Sequence, residues 1–188
     1  MNLFIDTTNN NLILILENKN QIIDSVYKTN QMRISDIVMD ELKNMLDKNN
    51  LKIKEIDSVY CSNGPGSYTG VRVGITIAKT LKILNPSLKV FTLSSLAFQA
   101  GNDNVISLLD AKGKKFYIGI YESGVCKIAD QLIPEDYLEE FKDQFGDFEI
   151  RSDYKDIDYI NNYLSLKEKF ELNDDVEKIE PIYIKNFI

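Results

Sequence analysis

The chain has 188 residues, 44% of them hydrophobic, with 22 basic against 29 acidic side chains, a net charge of −7 and no histidine. That is enough apolar material for one large domain or two small ones with a buried core. The acidic balance repels a nucleic-acid backbone and so excludes unaided RNA or DNA binding, while the missing histidine removes the commonest general base and metal ligand together.

Asn2 to Asp6 alternates and then turns apolar, Asn9 to Asn11 signals a turn, and Leu12 to Leu16 is a continuous aliphatic run, so residues 2–16 read as a hairpin. Gln21 to Lys28 supplies a third strand. From Gln31 to Lys48, apolar residues recur at three- and four-residue steps through Ile34, Ile37, Val38, Leu42, Met45 and Leu46, which predicts an amphipathic helix. A strand over Ile56 to Cys61 leads into the turn SNGPGSYTG (62–70), then a helix over Thr69 to Leu84 that Asn85-Pro86 stops. Lys89 to Leu93 is a short strand, and Ser94-Ser95 caps a brief helix through Ala100. Three leading strands followed by alternating helices and strands describe an α/β protein, a mixed sheet with flanking helices. Val105 to Leu109, Lys115 to Tyr121 and Val125 to Leu132 form a further group of strands. Helices are expected over 135–145 and 156–169, and a last strand over 179–184. The alternation ends near Gly101, which predicts an N-terminal subdomain over 1–101 and a smaller C-terminal one over 102–188, unless the last segment folds back onto the first half.

No apolar run approaches the ~18 residues of a membrane helix, and the opening MNLFIDTTNN has no basic region before its apolar segment, so a cytoplasmic location is expected. Cys61 and Cys126 stand alone and indicate neither a disulfide framework nor a thiolate metal site.

Two segments could carry chemistry. Asp6-Thr7-Thr8 sits at the end of the first strand, where an acidic residue and hydroxyls face Mg²⁺ and phosphate in nucleotide-binding folds of the actin and sugar-kinase type; the same residues also make a turn by bonding their own backbone. The turn at Gly64, Gly66 and Gly70 permits a close approach by phosphate, but it has neither the Walker A lysine nor the GxGxxG spacing. Gly70, Gly74 and Ala78 place small residues at four-residue steps on the second helix, whose first three turns are apolar nearly all round. Such a helix is covered on more than one side, by the sheet and by a further helix, its own or a partner's. Asp110-Ala111-Lys112-Gly113 reads as a hairpin turn. No carboxylate pair, no Ser or Cys beside a base, and no HExxH or CxxC can be assembled, which leaves a peptidase without ligands or nucleophile.

The pieces LFIDTTNNNLILIL, QMRISDIVMDELKNML, IDSVYCSNGPGSYTGVRVGITIAKTLKI, VFTLSSLAFQA, LLDAKGKKFYIGIY and the closing PIYIK resemble, in this order, the TsaB (YeaZ) family of bacterial tRNA threonylcarbamoyladenosine biosynthesis proteins. GPGSYTGVRVGITIAK is the most specific of them. The chain departs from the family pattern at Arg33-Ile34, where His-Ser is usual near Ser35, and in a shorter second half. The resemblance implies an actin-like ATPase (RNase H-like) fold of two subdomains and a non-catalytic relative of the TsaD transferase. Where that enzyme carries an HxxxH metal pair, this chain has Ser95 and Gln99. The implied role is a scaffold for modification of ANN-decoding tRNAs. It would pair with a TsaD-like transferase through a helical bundle, with a possible TsaE-like ATPase as third component, tRNA held only indirectly, and a homodimer when alone. The partner face expected on the two helices is Ile34, Val38, Leu42 and Met45 with Val71, Gly74, Ile75 and Ala78. A vestigial nucleotide site is expected at Asp6, Thr7, Thr8, Gly64 and Gly66, with no metal and no resident cofactor. The competing expectation is a small kinase-like ATPase that uses those same five residues.

Overall fold

The computed structural model describes residues 1–184, so Lys185 of the closing PIYIK lies outside the described residues. Two sheets organise the chain. The first has six strands: β1 (Asn2–Asp6), β2 (Leu12–Asn18), β3 (Gln21–Lys28), β4 (Ser58–Ser62), β5 (Lys89–Leu93) and β10 (Glu171–Asn173), in the spatial order β10-β5-β4-β1-β2-β3. β1 pairs antiparallel with β2 and parallel with β4, so the sheet is mixed. The second sheet orders β8 (Val125–Pro134), β7 (Lys115–Glu122), β6 (Val105–Asp110) and β9 (Glu149–Ser152).

The aliphatic runs of β1 and β2 are continuous because both faces of the first sheet are covered. Leu3, Ile5, Leu12, Leu14 and Leu16 pack under α1 (Ile34–Lys48) and α2 (Tyr68–Leu84). Their neighbours Phe4, Ile13 and Ile15 point the other way, into a core shared with α3 (Ser95–Ala100) and α5 (Tyr159–Leu166). That second core is aromatic: Phe4 stacks on Phe98 with ring centroids 4.7 Å apart, and Tyr60 stacks on Phe91 at 4.7 Å. Val105, Leu109 and Tyr121 of the second sheet close it from the far side, so α3 and α5 lie between the sheets. The outer face of the second sheet is covered by α4 (Leu138–Gln144), with Phe141 and the following Phe145 packing near Ile118, Ile120 and Ile133.

Several expectations need correction. The first helix begins at Ile34, and residues 32–33 form a turn ahead of it. The segment expected as a helix over 156–169 is α5 over 159–166 followed by a 3-10 turn over 167–169. The last expected strand, 179–184, makes no ladder; Ile182 N–H donates to Asn63 O at 2.7 Å and seats the segment beside the glycine-rich turn. The first sheet's outer strand is β10, antiparallel to β5, so the chain returns from the second sheet to finish the first.

Candidate functional site

β1 ends in a fully buried carboxylate. Asp6 Oδ1 accepts from Thr8 N–H at 2.8 Å and from Thr8 Oγ1 at 2.7 Å; its Oδ2 accepts from Ser62 Oγ and from Tyr154 Oη, each at 2.6 Å. All four donors are neutral groups of this chain. Both carboxyl oxygens therefore have their hydrogen-bond partners within the chain. Thr7 faces the other way, and its Oγ1 donates to Gly70 O at 2.7 Å.

The glycine-rich turn is folded against that carboxylate's own hairpin. A Cβ on Gly66 would stand 2.1 Å from Thr8 O, and one on Gly70 would stand 2.1 Å from Thr7 O. Ser67 N–H donates to Thr8 O at 2.7 Å, and Gly64 O accepts from Ser95 N–H at 2.8 Å. Ser67 also caps α2, its Oγ accepting from Gly70 N–H at 3.1 Å. On the hairpin side the space that Gly66 and Gly70 open is taken by the Thr8 and Thr7 carbonyls, while Pro65, Gly66 and Ser67 also border an open space of about 600 Å³. Of the five expected nucleotide-facing residues, the structure brings Gly66 against the Asp6-Thr7-Thr8 turn, while Gly64 packs beside Val71 and the Ile182 carbonyl.

Of the two positions matched to metal-ligating histidines, Gln99 is committed to bonds within the chain, whereas Ser95 Oγ has no hydrogen-bond partner among the described residues. Ser95 and Gln99 are both fully buried. The Gln99 amide donates to Ser107 Oγ at 2.8 Å and to the carbonyls of Leu108 and Arg151 at 3.0 Å, while its Oε1 accepts from Tyr154 N–H at 2.6 Å. Among the described residues no group of three or more His, Cys, Asp or Glu side chains could hold a metal ion. Burial, with a smaller effect from Asp6, pushes the Cys61 thiol far up, so it stays protonated.

The expected partner face is turned inward. Ile34, Val38, Leu42, Met45, Val71, Gly74, Ile75 and Ala78 are all buried in the isolated chain. The reason is geometric: these are the positions that α1 and α2 press onto the sheet, and Gly74 lets α2 come within 2.8 Å of Thr7 Oγ1 where a Cβ would stand. The second cover that an all-round apolar α2 requires is α1, from the same chain. Along the seam between the two helices lies an open groove of about 340 Å³ lined by Ser35, Met39, Tyr68, Val73, Thr76 and Ile77, among others, with Val38 of the expected face at its floor. Met39 is 57% and Tyr68 63% exposed. Arg72 closes one end, its guanidinium 3.9 Å from the Tyr68 ring centroid and its Nε donating to Tyr183 Oη at 3.1 Å. An apolar Met39 among the polar positions of α1, and the all-round apolar α2 that includes Val73 and Ile77, are the signals of this face in the sequence. Tyr154 gave none, because nothing local links it to Asp6, 148 residues away.

A second, larger space of about 600 Å³ opens between the two sheets, lined by Asn9, Asn10, Asn30, Tyr117 and Asp153, among others. Its cation, Lys112, is engaged by Asp110 at 2.6 Å.

This arrangement, a βββ-α-β-α-β-α unit joined to a smaller mixed sheet with helices between, is an actin-like, RNase H-like fold. The family profile described as TsaD, tRNA N6-adenosine threonylcarbamoyltransferase, matches residues 28–149. An uncharacterized protein of Mycoplasma pneumoniae is 30% identical over 94% of this chain and 89% of its own length. The tRNA threonylcarbamoyladenosine biosynthesis protein TsaB of Bacillus subtilis is 30% identical over 76% of this chain and 66% of its own. YeaZ from Pseudomonas aeruginosa superimposes with a TM-score of 0.77 at 18% identity, covering 97% of this chain and 99% of that one, and shows the shared fold. The chain belongs to the TsaB (YeaZ) family.

Proposed function

We propose that this chain serves tRNA threonylcarbamoyladenosine formation as a non-catalytic scaffold for a TsaD-type transferase, and that it docks through the outer faces of α1 and α2. Family membership supports the pathway, since relatives carry that biosynthetic name. The observation that carries the scaffold reading is the exposed apolar groove between the two helices, where Met39 and Tyr68 stand in solvent while one side of each helix is packed onto the sheet. The absence of catalysis fits Ser95 and Gln99, whose side chains lie within the protein core. A helix pair with an apolar seam recruits two helices of similar shape, from the transferase or, without it, from a second copy; a TsaE-like ATPase would join that assembly, and tRNA would be held by the other subunits.

The test uses the outer face. Met39→Glu and Thr76→Glu change exposed groove residues and should leave unfolding free energy within about 0.5 kcal/mol of wild type. Each should cut co-purification with the transferase at least tenfold and lower the threonylcarbamoyladenosine content of tRNA in cells that depend on this chain. Normal co-purification and normal tRNA in both variants would refute the docking face.

A further inference from the structure

The loop after β9 crosses from the second sheet to the first; Ile157 packs into the aromatic core, and Tyr154 carries the polar contact across. Tyr154 is 1% exposed, yet its hydroxyl reaches Asp6 Oδ2 at 2.6 Å, with Ser95 O at 3.3 Å and Thr8 Oγ1 at 3.4 Å around it. Its backbone is held from both sides: N–H donates to Gln99 Oε1 at 2.6 Å, and the carbonyl accepts from Tyr27 Oη at 3.2 Å. The loop itself is conformationally costly. Asp153, Tyr154 and Asp156 have φ of 52°, 61° and 54°, a region where the Cβ of a non-glycine residue crowds the backbone. A bulky aromatic residue stays there only where its surroundings hold it.

We propose that Tyr154 is a releasable bolt: its hydroxyl on Asp6 locks the second sheet against the first, and its withdrawal lets the cleft between the sheets widen. Three features separate a bolt from an ordinary buried contact. The bond joins the end of β1 to a loop of the other sheet, whereas the neighbouring donors to Asp6, Thr8 and Ser62, belong to the first sheet. Asp6 keeps three of its four donors when Tyr154 leaves, so the open state strands no bare carboxylate. The left-handed backbone at 153–156 relaxes on release, which lowers the cost of opening. Burial, then the Asp6 charge, raise the phenol well above its ordinary value, so it remains a donor across the physiological range.

The test is a distance measurement with exchange. In a Cys126→Ser background, spin labels at Asp40→Cys on α1 and Glu139→Cys on α4 report the separation of the two halves, both positions being exposed. The parent should give one narrow distance distribution. Tyr154→Phe, which removes only the hydroxyl, should add a longer population and raise amide exchange at residues 153–157 and at Thr8 by roughly tenfold or more. Asp6→Asn removes the same contact from the other end, should open the protein likewise, and should add nothing further when combined with Tyr154→Phe. Ser62→Ala deletes a donor of equal length to the same oxygen but within the first sheet, so it should destabilise without lengthening the distance. Parent-like distances and exchange in both Tyr154→Phe and Asp6→Asn, or equal opening by Ser62→Ala, would overturn the proposal; should one of the first two not fold, the other decides.

Discussion

A glycine can be retained for what its missing side chain admits or for the backbone angle it adopts, and this chain offers both cases. At Gly66 the issue is space, because a Cβ would meet the Thr8 carbonyl at 2.1 Å and backbone cannot step aside as a side chain can. At Gly113 nothing lies within 4 Å, and only the φ of +63° resists substitution. Gly66→Ala should therefore cost about 3 kcal/mol, as overpacking of a tight contact does, and Gly113→Ala about 1 kcal/mol. Urea denaturation of the two variants checks the order; equal losses would mean that the turn at 62–70 is not clamped on the Asp6 hairpin. The clamp also explains why a segment so rich in glycine invites a phosphate reading. Glycine permits close approach by any group, and sequence does not say whether the approaching oxygen belongs to a ligand or to Thr8.

At the scale of elements, α5 is tied to the first sheet by a carboxylate at the end of β2. Glu17 is fully buried and accepts from Asn2 Nδ2 at 2.7 Å, Tyr163 Oη at 3.2 Å and Lys167 Nζ at 2.7 Å, and also from Asn20 N–H. Burial by itself would raise its pKa, but the bonds from Lys167, Asn2 and Asn20 together outweigh it and hold the carboxyl below its ordinary value of 4.5. A depressed folded-state pKa stabilises the fold above the unfolded value, and that contribution is lost as pH falls below about 4.5 through the folded one. Lys167→Met should cost about 2 to 4 kcal/mol at pH 7, since it leaves a buried charge short of a partner, and the gap to wild type should shrink as pH drops below 4.5. Thermal melts between pH 7 and pH 3 would check this; a gap that stayed constant would show that the Glu17 charge is not what holds α5.

The same scale governs what the sequence makes legible. α1 and α2 are readable because each buries a repeating face, so the 3.6 period survives in the residue order, and the strands of the hairpin because burial on both faces leaves a continuous apolar run. β9 and β10 are not, since EIRS and ELN are four and three residues long and sit at sheet edges where polar side chains are tolerated. The periodicity that found α1 and α2 also selected their inward faces. Burial against one's own sheet and burial against a partner leave the same pattern, and only the fold shows that Val71 and Ile75 belong to the first kind. The Asp6 turn was legible as a polar cluster, but its partners were not, because Ser62 and Tyr154 arrive from 56 and 148 residues away.

At the scale of the whole molecule, we propose that residues 1–101 and the described residues from 102 onward are two subdomains that share one core rather than two independent folding units. Three things that complete the first sheet come from beyond residue 102: the edge strand β10 beside β5, the rings of Tyr163 and Phe170 against Phe4 and Tyr60, and the bonds of Tyr154 and Lys167 to Asp6 and Glu17. A fragment over 1–101 would expose the aromatic face of its sheet, and a single buried ring of this kind is worth about 3 to 5 kcal/mol when removed, against about 5 to 15 kcal/mol for a whole domain. Expressed alone, that fragment should give no cooperative unfolding transition and should expose apolar surface to a fluorescent dye. Supplying residues 102–188 as a separate chain should restore a sharp transition, because the packing that returns lies between the two pieces and needs no peptide bond joining them. A cooperative transition in the fragment alone would instead make the first sheet self-sufficient. The bolt at Tyr154 would then join two finished bodies, and the aromatic layer between the sheets would be an interface rather than a core.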